Sequence, residues 1–218
     1  SYKVTDVTWP VTNTGNTTNT FDLTFADNLW VVALSDTSLT LAGGASADIT
    51  VNVTVPADAL AGAMDMATIT ATSATNPLVT ADAVVNTYAN TVYDITLTPA
   101  TDAATDIPGA VVTYTLTLAN LGNTEDTITV AASGNLWDVN LPETSFVVAV
   151  GGTAEVTVEV TIPADALNND FAVVTITASS EGGMEVTSEL TTTAFVEGVY
   201  YYTYLPLVVR LVALGVLP

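Results

Sequence analysis

The chain has 218 residues, and its 23 acidic side chains stand against two basic ones, Lys3 and Arg210, for a formal net charge of −21. A field of this sign repels phosphate, which excludes nucleic acid as a partner and disfavours anionic lipid surfaces. The chain has no cysteine and no histidine, so disulfides, thiolate chemistry and the usual general base are excluded. We therefore expect neither an enzyme nor a cofactor-binding protein.

The residue composition favours β-strands. Hydrophobic residues make up 49% of the chain and charged residues only 11%, with a mean hydropathy of +0.48. The polar surface must come mainly from Thr, Ser, Asn and Asp, and β-branched Thr and Val suit a pleated sheet better than a helix. Residues 1–3 show neither the basic start nor the apolar run of a signal peptide, so an exported protein would be in its processed form.

The first half of the chain alternates apolar and polar residues. In residues 49–55 the apolar side chains fall on every second position, which indicates a half-buried strand. Turn signals such as the Asn-x-Gly-Asn of residues 13–16 and the Gly-Gly of residues 43–44 separate the strands. No segment has helical periodicity of useful length.

The second half repeats the first at an offset of 107 residues. Residues 13–60 align without a gap on residues 120–167, and 24 of the 48 positions are identical. Internal repetition of this kind indicates a duplicated domain. Within the second copy we predict eight strands near residues 93–98, 110–119, 126–132, 137–141, 145–150, 154–162, 171–178 and 184–195, and we assign residues 100–107 to a polar loop.

Short strands with regular turns in about 100 residues predict antiparallel, immunoglobulin-like (Ig-like) β-sandwiches. The expected fold is all-β, with two tandem Ig-like sandwiches and a C-terminal donor-type strand. The first sandwich covers residues 1–91 and lacks its first strand, because Ser1 aligns with Pro108. The second is complete and covers residues 92–198, and the donor strand covers residues 199–218.

Four motifs recur in both copies: the Asn-x-Gly-Asn turn, an Asn-Leu-Trp strand, a Gly-Gly turn before alternating Val residues, and Pro-Ala-Asp-Ala-Leu. On these motifs, residues 7–85 and 114–192 resemble the NPCBM-associated Ig-like domains of exported bacterial and archaeal proteins. The resemblance implies an accessory or surface module without catalytic residues. The tail is similar, in mechanism only, to the donor strands of strand-complemented pili, which usually lie at the N-terminus.

The end of the chain looks like a first strand with no domain behind it. At the same offset, residues 92–99 align with residues 199–206. The following apolar run, 205–217, contains Arg210 and is shorter than the roughly 20 residues that cross a bilayer, so we expect no membrane span. Alternate side chains from Leu205 to Ala213 share one face, and residues 207–217, which lack a template, are expected to be buried deepest.

A strand of this kind can add to an open sheet edge of another molecule and build a filament. The predicted interface consists of Tyr200, Tyr202, Tyr204, Leu205, Leu207, Val209, Arg210, Leu211, Ala213 and Lys3. We expect the two cations, Lys3 and Arg210, to meet carboxylates at the subunit junction. The tyrosines suit a boundary where an apolar ring needs a polar tip.

Other residues carry weaker signals. Trp30 and Trp137 occupy equivalent positions and are expected at the sandwich cores, whereas Trp9 aligns with Leu116 and is the better candidate for an unusual contact. Asn16 and Asn52 begin N-glycosylation sequons. A calcium site is an alternative to a bare acidic surface, although the spacing departs from a calcium loop. Its candidate ligands are Asp94, Asp102, Asp106 and Asp126.

The leading hypothesis is therefore a secreted, cell-surface structural protein whose partner is itself. It would polymerise head to tail, with the C-terminal strand of one subunit inserted into the first domain of the next. The alternative is a monomeric adhesion or carbohydrate-binding stalk module. An enzyme working through carboxylates alone, such as a glycoside hydrolase, is the third and weakest reading, since no acid pair stands out.

Overall fold

The protein folds into β-strands in two successive sandwiches, in a computed structural model that describes residues 4–134 and 136–196. The predicted all-β, Ig-like class is confirmed for these residues. In the same ranges no helix is long and apolar enough to cross a membrane. The donor strand predicted at residues 199–218 lies outside the described residues.

The described part of the first sandwich, from residue 4 onward, has seven strands in two sheets. The strands are β1 (Val4–Thr12), β2 (Asn19–Ala26), β3 (Val31–Leu34), β4 (Ser38–Leu41), β5 (Ser46–Thr54), β6 (Met64–Ser73) and β7 (Thr80–Tyr88). One sheet has the order β1-β5-β3 and the other β4-β2-β6-β7, and all neighbours are antiparallel. Strands β1 and β7 therefore lie at sheet edges.

In the second sandwich, the residues that the structure describes form nine strands. They are β8 (Ile95–Thr98), β9 (Thr101–Asp106), β10 (Val111–Asn120), β11 (Asp126–Ser133), β12 (Asp138–Asn140), β13 (Ser145–Val148), β14 (Thr153–Thr161), β15 (Phe171–Ser179) and β16 (Glu185–Ala194). Its sheets have the orders β12-β14-β10-β8 and β13-β11-β15-β16-β9. Strands β10 to β16 repeat β1 to β7 in order, and β8 and β9 are additional.

One prediction was wrong: residues 101–106 form strand β9, not a polar loop. This strand pairs in parallel with β16, from Thr101 opposite Glu189 to Asp106 opposite Ala194. Only Ala104 of its six side chains is partly buried. The polar composition misled the prediction because an edge strand held by main-chain hydrogen bonds needs few inward apolar residues.

The 107-residue offset does not hold along the whole repeat. Met64 pairs with Tyr88, whereas its counterpart Phe171 pairs with Thr193, so the last strands correspond at an offset of 105. The original offset returns only where residues 92–99 align with residues 199–206. The connection from Ala194 to Val199 is thus two residues longer than that from Ala89 to Val92.

The two cores differ in how completely they are covered. In the second sandwich the packed cluster includes Leu116, Leu118 and Leu190, each with 0% exposure. The cluster of the first sandwich is smaller, and several of its members, Trp9 and Val11 among them, are only partly buried. Trp30 and Trp137 pack against the two cores, as expected for a core role.

A buried tyrosine ties the sheets of the second sandwich together. The Tyr114 hydroxyl donates to the Thr191 carbonyl at 2.9 Å and lies 2.8 Å from Thr192 Oγ1. Burial raises the pKa of Tyr114 above its usual value, and the hydrogen bond with Thr192 offsets part of this effect. Folding therefore favours the protonated phenol.

We expect the natural protein to lose stability at high pH through Tyr114, and the Tyr114→Phe variant to be free of this loss. Because the folded-state pKa is raised, the stabilising contribution is complete below the unfolded-state pKa, about 10, and is lost as pH rises through the folded value. The variant should lose about 1–2 kcal/mol near neutral pH, since its hydrogen bonds are gone. When the free energy of unfolding in urea is measured from pH 7 to 11, the curves of the natural protein and the variant should converge as the pH rises. Parallel curves would contradict the raised pKa of Tyr114.

Candidate strand-binding groove

The extra strands β8 and β9 show how one edge of this sandwich is normally closed. Strand β8 pairs with β10 in one sheet, and β9 pairs with β16 in the other, so the segment passes from sheet to sheet across the open side. Ile95 and Leu97 of β8 point into the core with 0% and 5% exposure. The segment supplies both hydrogen bonds and core side chains.

The first sandwich has a groove at the equivalent place. Among its described residues no strand pairs with the free edge of β1 or of β7. A cavity of about 580 Å³ opens between these edges. Its floor is formed by the core residues Leu23, Ile49 and Ile69 and the half-buried Phe21, and its walls by residues 9–15 and 79–83.

The exposure of the groove walls shows what is missing from the first sandwich. Trp9 and Val11 are only half-buried, whereas their counterparts Leu116 and Leu118 are completely covered. The hydroxyl of Thr87 is buried and has no hydrogen-bond partner among the described residues. Its counterpart, Thr192, bonds with Tyr114, which the first copy replaces with Val7. The first sandwich therefore has open apolar surface in its groove and, separately, an unsatisfied polar atom in its interior.

One end of the groove is polar. The Asn19 amide donates to Ser73 Oγ at 2.7 Å, Thr75 Oγ1 donates to Asn19 Oδ1 at 3.0 Å, and the Asn76 N–H donates to Ser73 Oγ at 3.1 Å. All four residues line the cavity. An occupant with an apolar body and a polar tip matches this arrangement.

The open edge of β1 is partly protected by proline. The Asn13 N–H donates to the Ala45 carbonyl and its carbonyl accepts from Gly44, so these groups face β5. Because direction alternates along a strand, the backbone groups of Thr12 and Pro10 face the groove. Pro10 has no N–H to offer, which limits indiscriminate strand addition.

The turn 120–123 is where the chain entering the second sandwich docks. The Asn123 Nδ2 group donates to the Ala59 and Asn90 carbonyls at 3.1 and 2.9 Å. The Val92 N–H donates to Asn123 Oδ1 at 2.8 Å, and the Asn123 N–H donates to the Val92 carbonyl at 3.0 Å. The Ala61 N–H donates to the Asn123 carbonyl. This asparagine therefore joins the far end of the first sandwich to the near end of the second.

The same turn in the first sandwich keeps its internal bonds, but no segment of residues 4–134 and 136–196 enters it as residues 90–94 enter the second. Asn13 Nδ2 donates to the Thr17 and Leu41 carbonyls and its Oδ1 accepts from the Gly15 N–H, as Asn120 does in the second copy. Asn16, the counterpart of Asn123, is exposed. The turn has the same internal geometry as the binding turn of the second copy, and no described segment binds to it.

The predicted site residues fall into three groups. The tail residues from Tyr200 to Ala213, with Arg210, and also Lys3 lie outside the described residues, so their interface role stays a prediction. Asn16 is exposed in the turn, and Asn52 on β5 donates to Asp6 Oδ1 at 2.7 Å. Nothing described tests their glycosylation.

The calcium candidates are not brought together. Asp126 is buried and accepts from Ser180 Oγ at 2.6 Å and from the Glu181 N–H. Asp102 and Asp106 are exposed on β9, where each accepts from the next residue's N–H, and Asp94 precedes β8. In the parts of the chain that are described, no group of three or more acidic residues could hold a metal ion.

Several groove residues were missed at the sequence level. The wall residues 79–83, at and just before the start of β7, carry no sequence signal of their own, and Asn123, which lies at the joint of the two sandwiches outside the groove, stands in an ordinary turn motif. A comparison of the two copies could have found the wall residues. Strand β16, which pairs with β9, has Val186 and Ser188 where β7 has the smaller Ala81 and Ala83. Trp9, singled out by its mismatch with Leu116, does line the groove.

Comparison with known proteins supports the Ig-like class for the second copy. Residues 112–196 match the family model described as "IG-like fold at C-terminal of FixG, putative oxidoreductase". No curated protein sequence matches the chain. The resemblance to NPCBM-associated domains stays a prediction.

Solved structures with a similar arrangement of strands are distant. A PapD-like domain of human CEP192 has 11% identity, a TM-score of 0.38 and coverage of 46% of this chain and 84% of its own. A Porphyromonas gingivalis W83 protein of unknown function has 12% identity, a TM-score of 0.37 and coverage of 88% and 91%. The Pseudomonas aeruginosa CupB2 chaperone has 9% identity, a TM-score of 0.33 and coverage of 84% of this chain and 91% of its own. Likenesses of this size do not bear on what the chain does.

Proposed function

We propose that the protein is the subunit of an extracellular filament. Residues 199–218 of one subunit fill the groove between β1 and β7 of the next subunit and complete its first sandwich. The observation that carries the proposal is that this groove occupies the place of β8 and β9, and the tail aligns with that segment. The protein is secreted and remains at the cell surface, where a strongly acidic exterior keeps it soluble.

The groove offers enough interaction energy for a stable joint. Each large apolar side chain that leaves water contributes about 1.5–3 kcal/mol before ordering costs. Trp9 and Val11 would be covered in addition to the tail residues that enter. The open edges supply main-chain hydrogen bonds, as in other cases of strand addition.

The tail cannot reach its own groove in the orientation of β8. Asn123 contacts Ala59 and Ala61, so the two sandwiches stack end to end, and the turn at residues 13–16 lies at the opposite end from Ala194. The distance is two strand lengths, about 60 Å for strands of nine or ten residues. The connection from Ala194 to Val199 spans about 17 Å at most. Insertion is therefore intermolecular, and it extends the stack linearly.

The first test is the size of the protein with and without its tail. The full chain should form filaments visible by electron microscopy and sediment as large species at micromolar concentration. A chain ending at residue 198 should remain monomeric with the second sandwich folded. A synthetic peptide of residues 199–218 should bind the truncated protein, and the emission of Trp9 should shift to shorter wavelength as its ring is covered.

Two results would overturn the proposal. One is filament formation by the truncated chain. The other is a full-length chain that stays at 22.4 kDa, which would indicate a monomeric stalk or adhesion module. As a matched control, a peptide in which Tyr202 and Tyr204 are both aspartate should not bind.

A further inference from the structure

We propose that the turn at residues 13–16 is a docking site for the chain segment that precedes the donor strand of another subunit, and that this turn sets the register of insertion. The inference rests on the filament proposed above. Its motivation is the second copy, where the same turn receives residues 90–94 through hydrogen bonds that have no counterpart among the described residues of the first copy.

The contacts of the second copy define the docked geometry. The Leu121 and Gly122 N–H groups donate to the Asp94 carbonyl at 2.7 and 3.1 Å. A Cβ on Gly122 would overlap the Val92 carbonyl oxygen, so glycine is required because the incoming chain crosses directly over it. The sequence of this turn is therefore adapted to an external segment.

The first copy keeps these adaptations without the segment. A Cβ on Gly15 would meet only Asn13 Oδ1, at 3.1 Å, so the space above it is open. Asn16 repeats Asn123, and the structure gives its side chain no hydrogen bond with the described residues. The turn therefore has open space above Gly15 and an exposed Asn16, the two features that the second copy uses to bind its incoming segment.

The docked turn assigns a register to the tail. Val199 takes the place of Val92 and pairs with Asn16, and Tyr201 takes the place of Asp94 over Gly15. Since Asn120 lies opposite Ile95, and Leu118 opposite Leu97, Asn13 then lies opposite Tyr202 and Val11 opposite Tyr204. Pro206 falls on Pro99, where the segment crosses between the sheets.

This register differs from the face predicted by alternation alone. In the second copy Leu97 and Ala104 both face the core although they are seven residues apart. Odd-numbered residues therefore face inward before the crossing between the sheets, and even-numbered residues face inward after it. The tail would direct Tyr202 and Tyr204 inward before Pro206, and Leu211, the counterpart of Ala104, inward after it. Leu205 and Leu207 correspond to the exposed Thr98 and Ala100.

The chemistry of the groove fits the tyrosines that this register selects. Their rings meet the apolar floor at Leu23 and Ile49, and the small side chain of Ala81 stands where the second copy has the larger Val186. Tyr200 corresponds to Tyr93, whose ring packs against Gly182, in the loop equivalent to the polar end at Ser73 and Asn76. A phenol there has hydroxyl and amide partners.

Engineered cysteine pairs test the register, because the natural chain has no cysteine. Thr12 corresponds to Ala119, which lies opposite Thr96, the counterpart of Thr203. The double variant T12C/T203C should give a ladder of covalent oligomers under mild oxidation. The matched controls T12C/Y201C and T12C/L205C place the second thiol on the same outward face, two residues out of register, and should remain largely uncrosslinked.

Substitutions in the turn test the docking role. Gly15→Ala and Asn16→Ala should each leave a folded monomer, judged by circular dichroism of the chain ending at 198, and raise the critical concentration of the full chain about tenfold or more. The comparison with Thr14→Ala, a neighbour whose side chain has no role in the dock, controls for changes in the turn itself.

The outcomes separate the inference from the proposed function. Filaments with cross-links only at 201 or 205, or unchanged assembly of both turn variants, would overturn the register while leaving strand insertion intact. A protein that stays monomeric in every variant would overturn strand insertion itself. Cross-linking at 203 with weakened assembly of the turn variants would establish the dock.

Discussion

Joining a copy of residues 92–107 directly before Ser1 should close the groove and raise the melting temperature of the first sandwich by about 10 °C or more. At the 107-residue offset Ile107 would precede Ser1 as it precedes Pro108, so no linker is needed. The copies of Ile95 and Leu97 would bury about 1.5–3 kcal/mol each. A net gain of about 2 kcal/mol after ordering costs is enough for this shift in a domain of this size.

The same graft should stop filament growth at the groove end. The measurements are thermal unfolding followed by Trp9 and Trp30 emission, and sedimentation at micromolar concentration. A control graft with aspartate at its copies of Ile95 and Leu97 should give neither effect, because a charge cannot enter the apolar floor. Equal behaviour of the two grafts would show that the groove is not an empty strand position.

The second large effect is unequal stability of the two sandwiches in a chain ending at residue 198. No strand in the described part of the chain covers Trp9 and Val11 of the first sandwich, whereas β8 and β9 cover the equivalent side of the second. A deficit equivalent to two buried apolar side chains is about 3–6 kcal/mol. Unfolding in urea should therefore occur in two steps, the first sandwich preceding the second.

The three tryptophans allow each step to be observed separately. Trp9→Phe with Trp30→Phe leaves Trp137 to report the second sandwich, and Trp9→Phe with Trp137→Phe leaves Trp30 to report the first. Addition of the 199–218 peptide should move only the Trp30 transition to higher urea. Coincident transitions in both variants would contradict the prediction and point to coupling through Asn123.

The repeat and the alternating strands were predictable because they rest on local period and duplication. Every strand from β1 to β7 has a counterpart in β10 to β16, and the apolar positions of β5 and β14 follow the period of two. Strand β9 was not predictable from its residues, since a parallel edge strand with one inward alanine has no periodic signal. Its partner, β16, is about 90 residues away, and such pairing is invisible to a local pattern.

The sequence predicted only that one edge of the first sandwich is open, and the residues that line the groove became known from the structure. The alignment predicted an open sheet edge, but the polar end at Asn19, Ser73 and Asn76 is assembled from β2 and the loop after β6. The docking role of Asn123 depends on contacts with residues more than 30 positions away. A turn motif alone gives no indication of such partners.

The longer connection between Ala194 and Val199 has a consequence for the mechanics of the proposed filament. Within a subunit the chain passes from Ala89 to Val92 in three residues, and Asn123 clamps the joint. Between subunits it has five residues for the same passage. In the proposed filament, joints of three residues would therefore alternate with joints of five residues, and we expect bending under flow to concentrate at the longer ones.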